Sequence, residues 1–257
     1  MEQEILMLSS SYGACFQPCI HHPQKPLAIC ANRAEGLFKN LRVNKNGSLS
    51  LSTNASSWDH EIYRLTFGQK EKKLSHYSCI IFNIYIPLDL PLLLQNNFDI
   101  NANCLKRISK SQLRDILSSS TELQNALSLH RNWIKQLNIE EHFTGEMLFL
   151  ANPYSSNTQQ YPAKNNDDSI TEITEQIQCW VQEHIFSTHG IKIVLPSSFF
   201  FENGFYIRSE YCRPDKYQDW KTLHQNKQIA EDRIHKNQKY GETLYKQILE
   251  LLSDSTH

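Results

Sequence analysis

The residue types best suited to ligating a metal stand together near the start of the chain: Cys15, Cys19, His21 and His22, with Cys30 a little further on. Thiolate and imidazole are zinc ligands, but structural zinc sites normally close with a second tight pair across a loop, and none follows here. These thiols are therefore expected to be buried or incidental, with no bound metal. All seven cysteines, at 15, 19, 30, 79, 104, 179 and 212, are scattered and odd in number. That spacing favours reduced thiols over a disulfide framework. Only eight glycines are present. No Gly-x-Gly-x-x-Gly, phosphate loop or nucleophile elbow can be found, which removes most nucleotide-binding and hydrolase motifs.

The most apolar run, His76 to Leu93, raises a different possibility. It is either the central strand of a core or the wall of a pocket for an apolar ligand. The 257 residues suffice for one large domain with a sizeable core, with residues 1–40 as an irregular extension and 154–169 as a flexible loop. Charges balance, 26 basic against 27 acidic, so no nucleic-acid footprint is expected. The clusters Lys70 to Lys73 and Lys106, Arg107, Lys110 read as solvated faces. No apolar run is long enough to span a bilayer, and the acidic start, Met1-Glu2-Gln3-Glu4, is unlike a signal peptide. A cytoplasmic protein without a membrane partner is the expectation.

Patterning supplies the elements. Asn44 to Gly47 is a turn between Leu41-Arg42-Val43 and Ser48 to Ser52. Ile62 to Phe67 alternates as a further strand ending at Gly68, and another strand begins at His76. Helical spacing covers 109–117 and 121–137, and Met147 to Leu150 is a short strand. Ser169-Ile170-Thr171-Glu172 is a capping box that opens a helix closed by Gly190. Strands follow at Ile191 to Leu195 and Phe199 to Ile207. Helix runs from Trp220 onward, broken at Tyr240-Gly241-Glu242, with Leu244, Ile248 and Leu251 on its last apolar face. This order predicts an α+β fold, an α/β/α sandwich whose central sheet is mainly antiparallel.

Several stretches resemble the ferredoxin-dependent bilin reductases. Tyr63 to Phe67 is similar to that family's Arg-bearing strand, and Ser78 to Phe82 to its His-Cys-Val-x-Phe strand. Leu90-Pro91-Leu92 with Phe98-Asp99-Ile100 resembles its Asp-bearing loop. Phe143 to Phe149, and the C-terminal residues Gln225 to Lys227, Arg233 and Tyr240 to Glu242, follow in order. The resemblance implies reduction of a linear tetrapyrrole, with no cofactor bound and reduced ferredoxin as electron donor and partner. It also implies Asp99 as an acid kept protonated by burial, with His76 sharing the proton. The family's histidine falls at Ser78, and Arg64, Lys227 and Arg233 would hold the propionates.

A second likeness runs from Gly190 to Tyr211, which resembles the closing strand of phosphothreonine-lyase-like proteins. It implies β-elimination, with Lys73, His76, Arg208 and Arg213 as its parts. The aromatic run Phe199, Phe200, Phe201, Phe205 and Tyr206 also allows a non-catalytic interaction module.

Overall fold

The computed structural model describes residues 4–9, 11–31, 40–68, 72–83, 109–119, 121–150, 180, 183–184, 187–202, 206–212 and 236–254. Five strands form its main sheet: β1 Glu4–Ser9, β2 Leu27–Ala31, β5 Tyr77–Asn83, β6 Glu146–Leu150 and β7 Ile191–Val194. All four pairings are parallel, in the order β2-β1-β5-β6-β7. The expected antiparallel sandwich is therefore corrected to an α/β architecture. Antiparallel pairing is confined to two small ribbons: β3 Leu41–Val43 with β4 Leu49–Leu51, and β8 Phe201–Glu202 with β9 Tyr206–Ile207.

Two misread segments explain the correction. Ile62 to Phe67 alternates in sequence but belongs to helix α1, Ser57–Phe67. A capping box starts this helix: the Ser56 hydroxyl accepts from Asp59 N–H and the Asp59 carboxylate accepts from Ser56 N–H. Ile62 and Phe67 turn inward, and so does the Tyr63 hydroxyl, which donates to the Leu49 carbonyl. The other segment is the N-terminus. Ile5 to Leu8 are apolar on both faces, so they lack the alternation that marks a half-buried strand. They pair on both sides, with β2 and with β5, so the presumed irregular extension contains a strand of the sheet interior.

The two faces separate cleanly by residue parity. Leu6, Leu8, Cys30, Ile80, Phe82, Met147 and Phe149 face one side, packed with Ile62 and Phe67 of α1. On that same side lie Leu113 and Leu117 of α2, Lys110–Ser119, and Ile134 and Leu137 of α3, Thr121–Leu137. Ile5, Met7, Ile29, Cys79, Ile81, Leu148 and Val194 face the other side. They meet Cys15, Phe16 and Cys19 of a 3-10 helix, Ser11–His21, and Tyr240, Leu244, Tyr245 and Ile248 of α4, Gln238–Asp254. The run from Tyr77 is thus the central strand of a sheet covered on both faces, which accounts for its unbroken apolar character.

The final helix also differs from expectation. Tyr240 to Glu242 form its first turns and do not break it. Gly241 is required there, because a Cβ would lie 2.1 Å from the Cys15 carbonyl oxygen. Leu252 is buried, while Leu251 is 44% exposed. The hairpin at Asn44 to Gly47, the helices at 110–119 and 121–137, and strands β6 and β7 form where the pattern places them. The helix expected from Ser169 falls largely outside the described residues, and the polar loop 154–169 and the helix expected from Trp220 to His235 fall wholly outside them.

Candidate functional site

A parallel sheet orients every strand the same way, so its carboxyl ends form a single edge. From β1 the chain passes to β2 along the 3-10 helix on one face, then returns past β1 to β5 by way of α1 on the other face. The order therefore reverses between β1 and β5. Open α/β sheets bind ligands at the carboxyl ends of the strands flanking such a reversal. Here those strands end in Ser9 and Asn83, which are register partners.

Both residues are fully buried. Ser9 Oγ donates to the Asn83 carbonyl at 3.2 Å, and Asn83 Nδ2 donates to Ser9 Oγ at 3.0 Å. Nδ2 also approaches Met7 Sδ at 3.9 Å. The other amide atom, Oδ1, is buried without a hydrogen-bond partner. Leaving such an atom unsatisfied costs about 1–3 kcal/mol. Nδ2 is thus committed, and Oδ1, an acceptor, is the uncommitted atom at the end of the central strand.

The 3-10 helix begins at Ser11, two positions after β1 ends, with Gly13 near its start. Gly13 permits the tight entry: a Cβ there would lie 2.6 Å from Ser9 Oγ. The first turn of such a helix carries backbone N–H groups with no partner inside the helix. The edge thus combines the Ser9 hydroxyl, the Asn83 amide and helix-end donors in largely apolar surroundings.

The residues singled out from the sequence are not gathered here. His76 is exposed and lies in a 3-10 turn, Leu74–His76, ahead of β5 at the opposite edge of the sheet. Ser78 sits where the β1/β5 register shifts, and its Oγ is buried without a partner. Arg64 lies on α1 and not on a strand; it is exposed and paired with Glu61 at 2.7 Å. Asp99, Lys227 and Arg233 fall outside the described residues. Of the elimination set, Lys73 bridges to Ser48 beside the hairpin, Arg208 follows β9 and is exposed, and Arg213 is outside the described residues. Within the aromatic run, Phe200 is core, packed on Tyr211 and Tyr240, while Phe199 is exposed.

The early cysteines are divided by the sheet. Cys30 lies in the cluster on one face, and Cys15 and Cys19 in the cluster on the other. Burial pushes the Cys19, Cys30 and Cys79 thiols up from 9.0 to about 12, so they are poor nucleophiles near neutrality. Among the described residues no group of three His, Cys, Asp or Glu side chains is assembled to hold a metal, and no helix is long and apolar enough to cross a membrane.

Sequence reasoning missed both because Ser9 reads as an ordinary polar residue closing an apolar run and Asn83 as one interrupting the apolar run His76 to Leu93. The available signal was their shared context, a buried strand ending in a small polar residue, once in each half of a βαβ arrangement. No protein-family model and no curated protein matches this chain.

Proposed function

We propose that this chain is a serine-dependent acyl-ester hydrolase or acyltransferase working at the carboxyl edge of its parallel sheet. The run Ser9 to Ser11 supplies the attacking hydroxyl, with Ser10 and the Ser11 side chain entering on sequence alone, and Asn83 Oδ1 accepts a hydrogen bond from the bound substrate. The observation that carries this reading is Asn83: fully buried at the end of β5, with one amide atom held by Ser9 and the other without a partner. A buried acceptor left without a partner costs about 1–3 kcal/mol, which a substrate N–H or O–H at this edge would recover. The N–H groups opening the 3-10 helix, which have no partner inside it, are the donors for the oxyanion.

The chemistry needs a base. Among the described histidines, His21, His22, His76, His142 and His189 precede strands and so belong to the amino edge, His60 lies on α1, and His184 is stacked on Trp180. His235 suits the role better: Asp232 stands three residues before it, and it leads directly into Lys236, which is buried and bridged to Cys212. Asp232 and His235 themselves lie outside the described residues and enter on sequence alone. The base takes the hydroxyl proton as oxygen attacks the acyl carbon, then passes it to the departing alcohol. Water releases the acyl group in hydrolysis, and a second alcohol takes it in transfer.

The test is hydrolysis of p-nitrophenyl acetate together with labelling by a fluorophosphonate probe. Turnover and covalent labelling are expected for the wild type, with both lost in His235→Ala. Absence of both in the wild type would sink the reading. The tetrapyrrole reductase expectation keeps its own test: a shifted, structured visible band on mixing with biliverdin would bring it back. Its antiparallel frame is not the fold found, and no contact among the described residues favours it.

A further inference from the structure

We infer that this chain forms a twofold dimer through helix α1, with Trp58 of each copy seated in an apolar slot on the other. Among the described residues four large apolar side chains stand exposed, and two of them, Trp58 at 39% and Leu65 at 43%, are on α1. Seven residues apart, they share one face of the helix and are separated by about 10 Å along it. Leu65 also forms one wall of a slot of about 70 Å³ beside β2, the outermost strand of the main sheet. The slot opens between the two layers. Ile62 of α1 belongs to the core on one face, Ile20 of the 3-10 helix packs against the core on the other, and β2 forms the floor.

An outer strand ordinarily invites another strand. Here the invitation is partly withdrawn. The Pro26 carbonyl accepts from Ile5 N–H of β1, so the Ile29 carbonyl, three residues on, is directed to the open side. There it lies 2.7 Å from Thr66 Oγ1, which also reaches the Ile62 carbonyl at 2.9 Å. With that ladder position taken, the slot suits an inserted side chain and not an added strand. A second copy supplies one. Two α1 helices laid antiparallel about the midpoint between Trp58 and Leu65 bring each tryptophan onto the Leu65 and slot of the other copy, and a twofold axis makes both contacts at once. The charges agree with this pairing. Glu61 and Arg64, an exposed pair 2.7 Å apart, flank the midpoint, and the same axis carries each Arg64 toward the Glu61 of the other copy. Buried tryptophans are the commonest anchors of such interfaces, but the contact is small, so the dimer is weak and concentration-dependent.

The experiment is analytical ultracentrifugation of the full chain over a concentration series from micromolar to millimolar. The mass is expected to rise from 30.0 kDa toward twice that value. Trp58→Ala and Leu65→Lys should each raise the dissociation constant roughly 30-fold or more, as for loss of an interface anchor or its pocket. Both should keep the melting temperature of the dilute protein, because both side chains are exposed in the single chain. Arg64→Glu should weaken the dimer several-fold, and the exchange Glu61→Arg/Arg64→Glu should restore it, since opposite charges again face each other across the axis. A mass that stays at 30.0 kDa throughout overturns the inference. If that monomer binds anilinonaphthalenesulfonate and Leu65→Lys does not, the slot belongs to a small apolar ligand instead. A dimer that either Trp58→Ala or Leu65→Lys leaves as tight as the wild type, or that the charge exchange fails to restore, overturns it as well.

Discussion

The two edges of the main sheet are built differently. At the amino edge the chain enters its strands through short segments: 22–26 before β2, the turn Leu74–His76 before β5, and Gly190 before β7. Exposed ion pairs tie this edge together, Lys192 with Glu146 at 3.0 Å, Lys72 with Glu4 at 3.8 Å, and His189 with Glu140. At the carboxyl edge the connections are long, 84–109 after β5 and 151–190 after β6. The two strands flanking the reversal end in uncharged, buried, mutually bonded side chains. Charged pairs in water contribute little and can be exchanged freely, whereas a buried amide with an unsatisfied atom persists where something else requires it. The contrast teaches that one edge closes the fold and the other is free to carry chemistry.

Removing what both edges share should have the largest effect. Phe82, fully buried on β5, is expected to cost about 3–5 kcal/mol when changed to alanine, measured by urea unfolding. A loss under 1 kcal/mol would mean that β5 is not the central strand. The buried thiols test the same core from both faces. Cys30 and Cys79 have folded pKa values near 12 against 9.0 when exposed, so the neutral thiol is favoured by folding. Their contribution is therefore full below pH 9 and lost as the pH rises toward 12. Thermal melts should fall over that window, and Cys30→Val with Cys79→Val should move the decline to higher pH. An unmoved decline would place its cause elsewhere.

Between the edges the expected difference is one of activity. Asn83→Ala should lower kcat/KM for ester hydrolysis roughly 10-fold, as for one lost hydrogen bond to substrate. Glu146→Gln at the amino edge should leave kcat/KM unchanged, and equal losses from the two would erase the distinction. Smaller still is the capping box on α1, at a distance from both: Ser56→Ala is expected to cost about 1 kcal/mol of stability with kcat intact. At the bottom of the scale, Arg64→Ala removes an exposed i,i+3 pair and should leave the melting temperature where it was. A measurable fall would restore a structural role for this arginine.

Much of the element list was legible in the chain, because helices α2 and α3, the hairpin at Asn44 to Gly47 and strands β6 and β7 carry strong local periodicity or turn chemistry. Strand direction was not legible. Parallel and antiparallel pairing use the same apolar residues, and only the crossovers decide between them. β1 was missed because burial on both faces removes alternation, and α1 was read as a strand because Tyr63 to Phe67 alternates over a window too short to separate the two periods. The capping pair Ser56 and Asp59 was the local clue that would have resolved it.

For the candidate site the division is sharper. Amino-acid order alone determined that Ser9 closes an apolar run, that Asn83 interrupts another 74 positions later, and that Gly13 leaves room for a close approach. Only the tertiary arrangement decided that these runs lie side by side and in register, because a contact between distant segments depends on how the intervening chain crosses the sheet and not on the residues that finally touch.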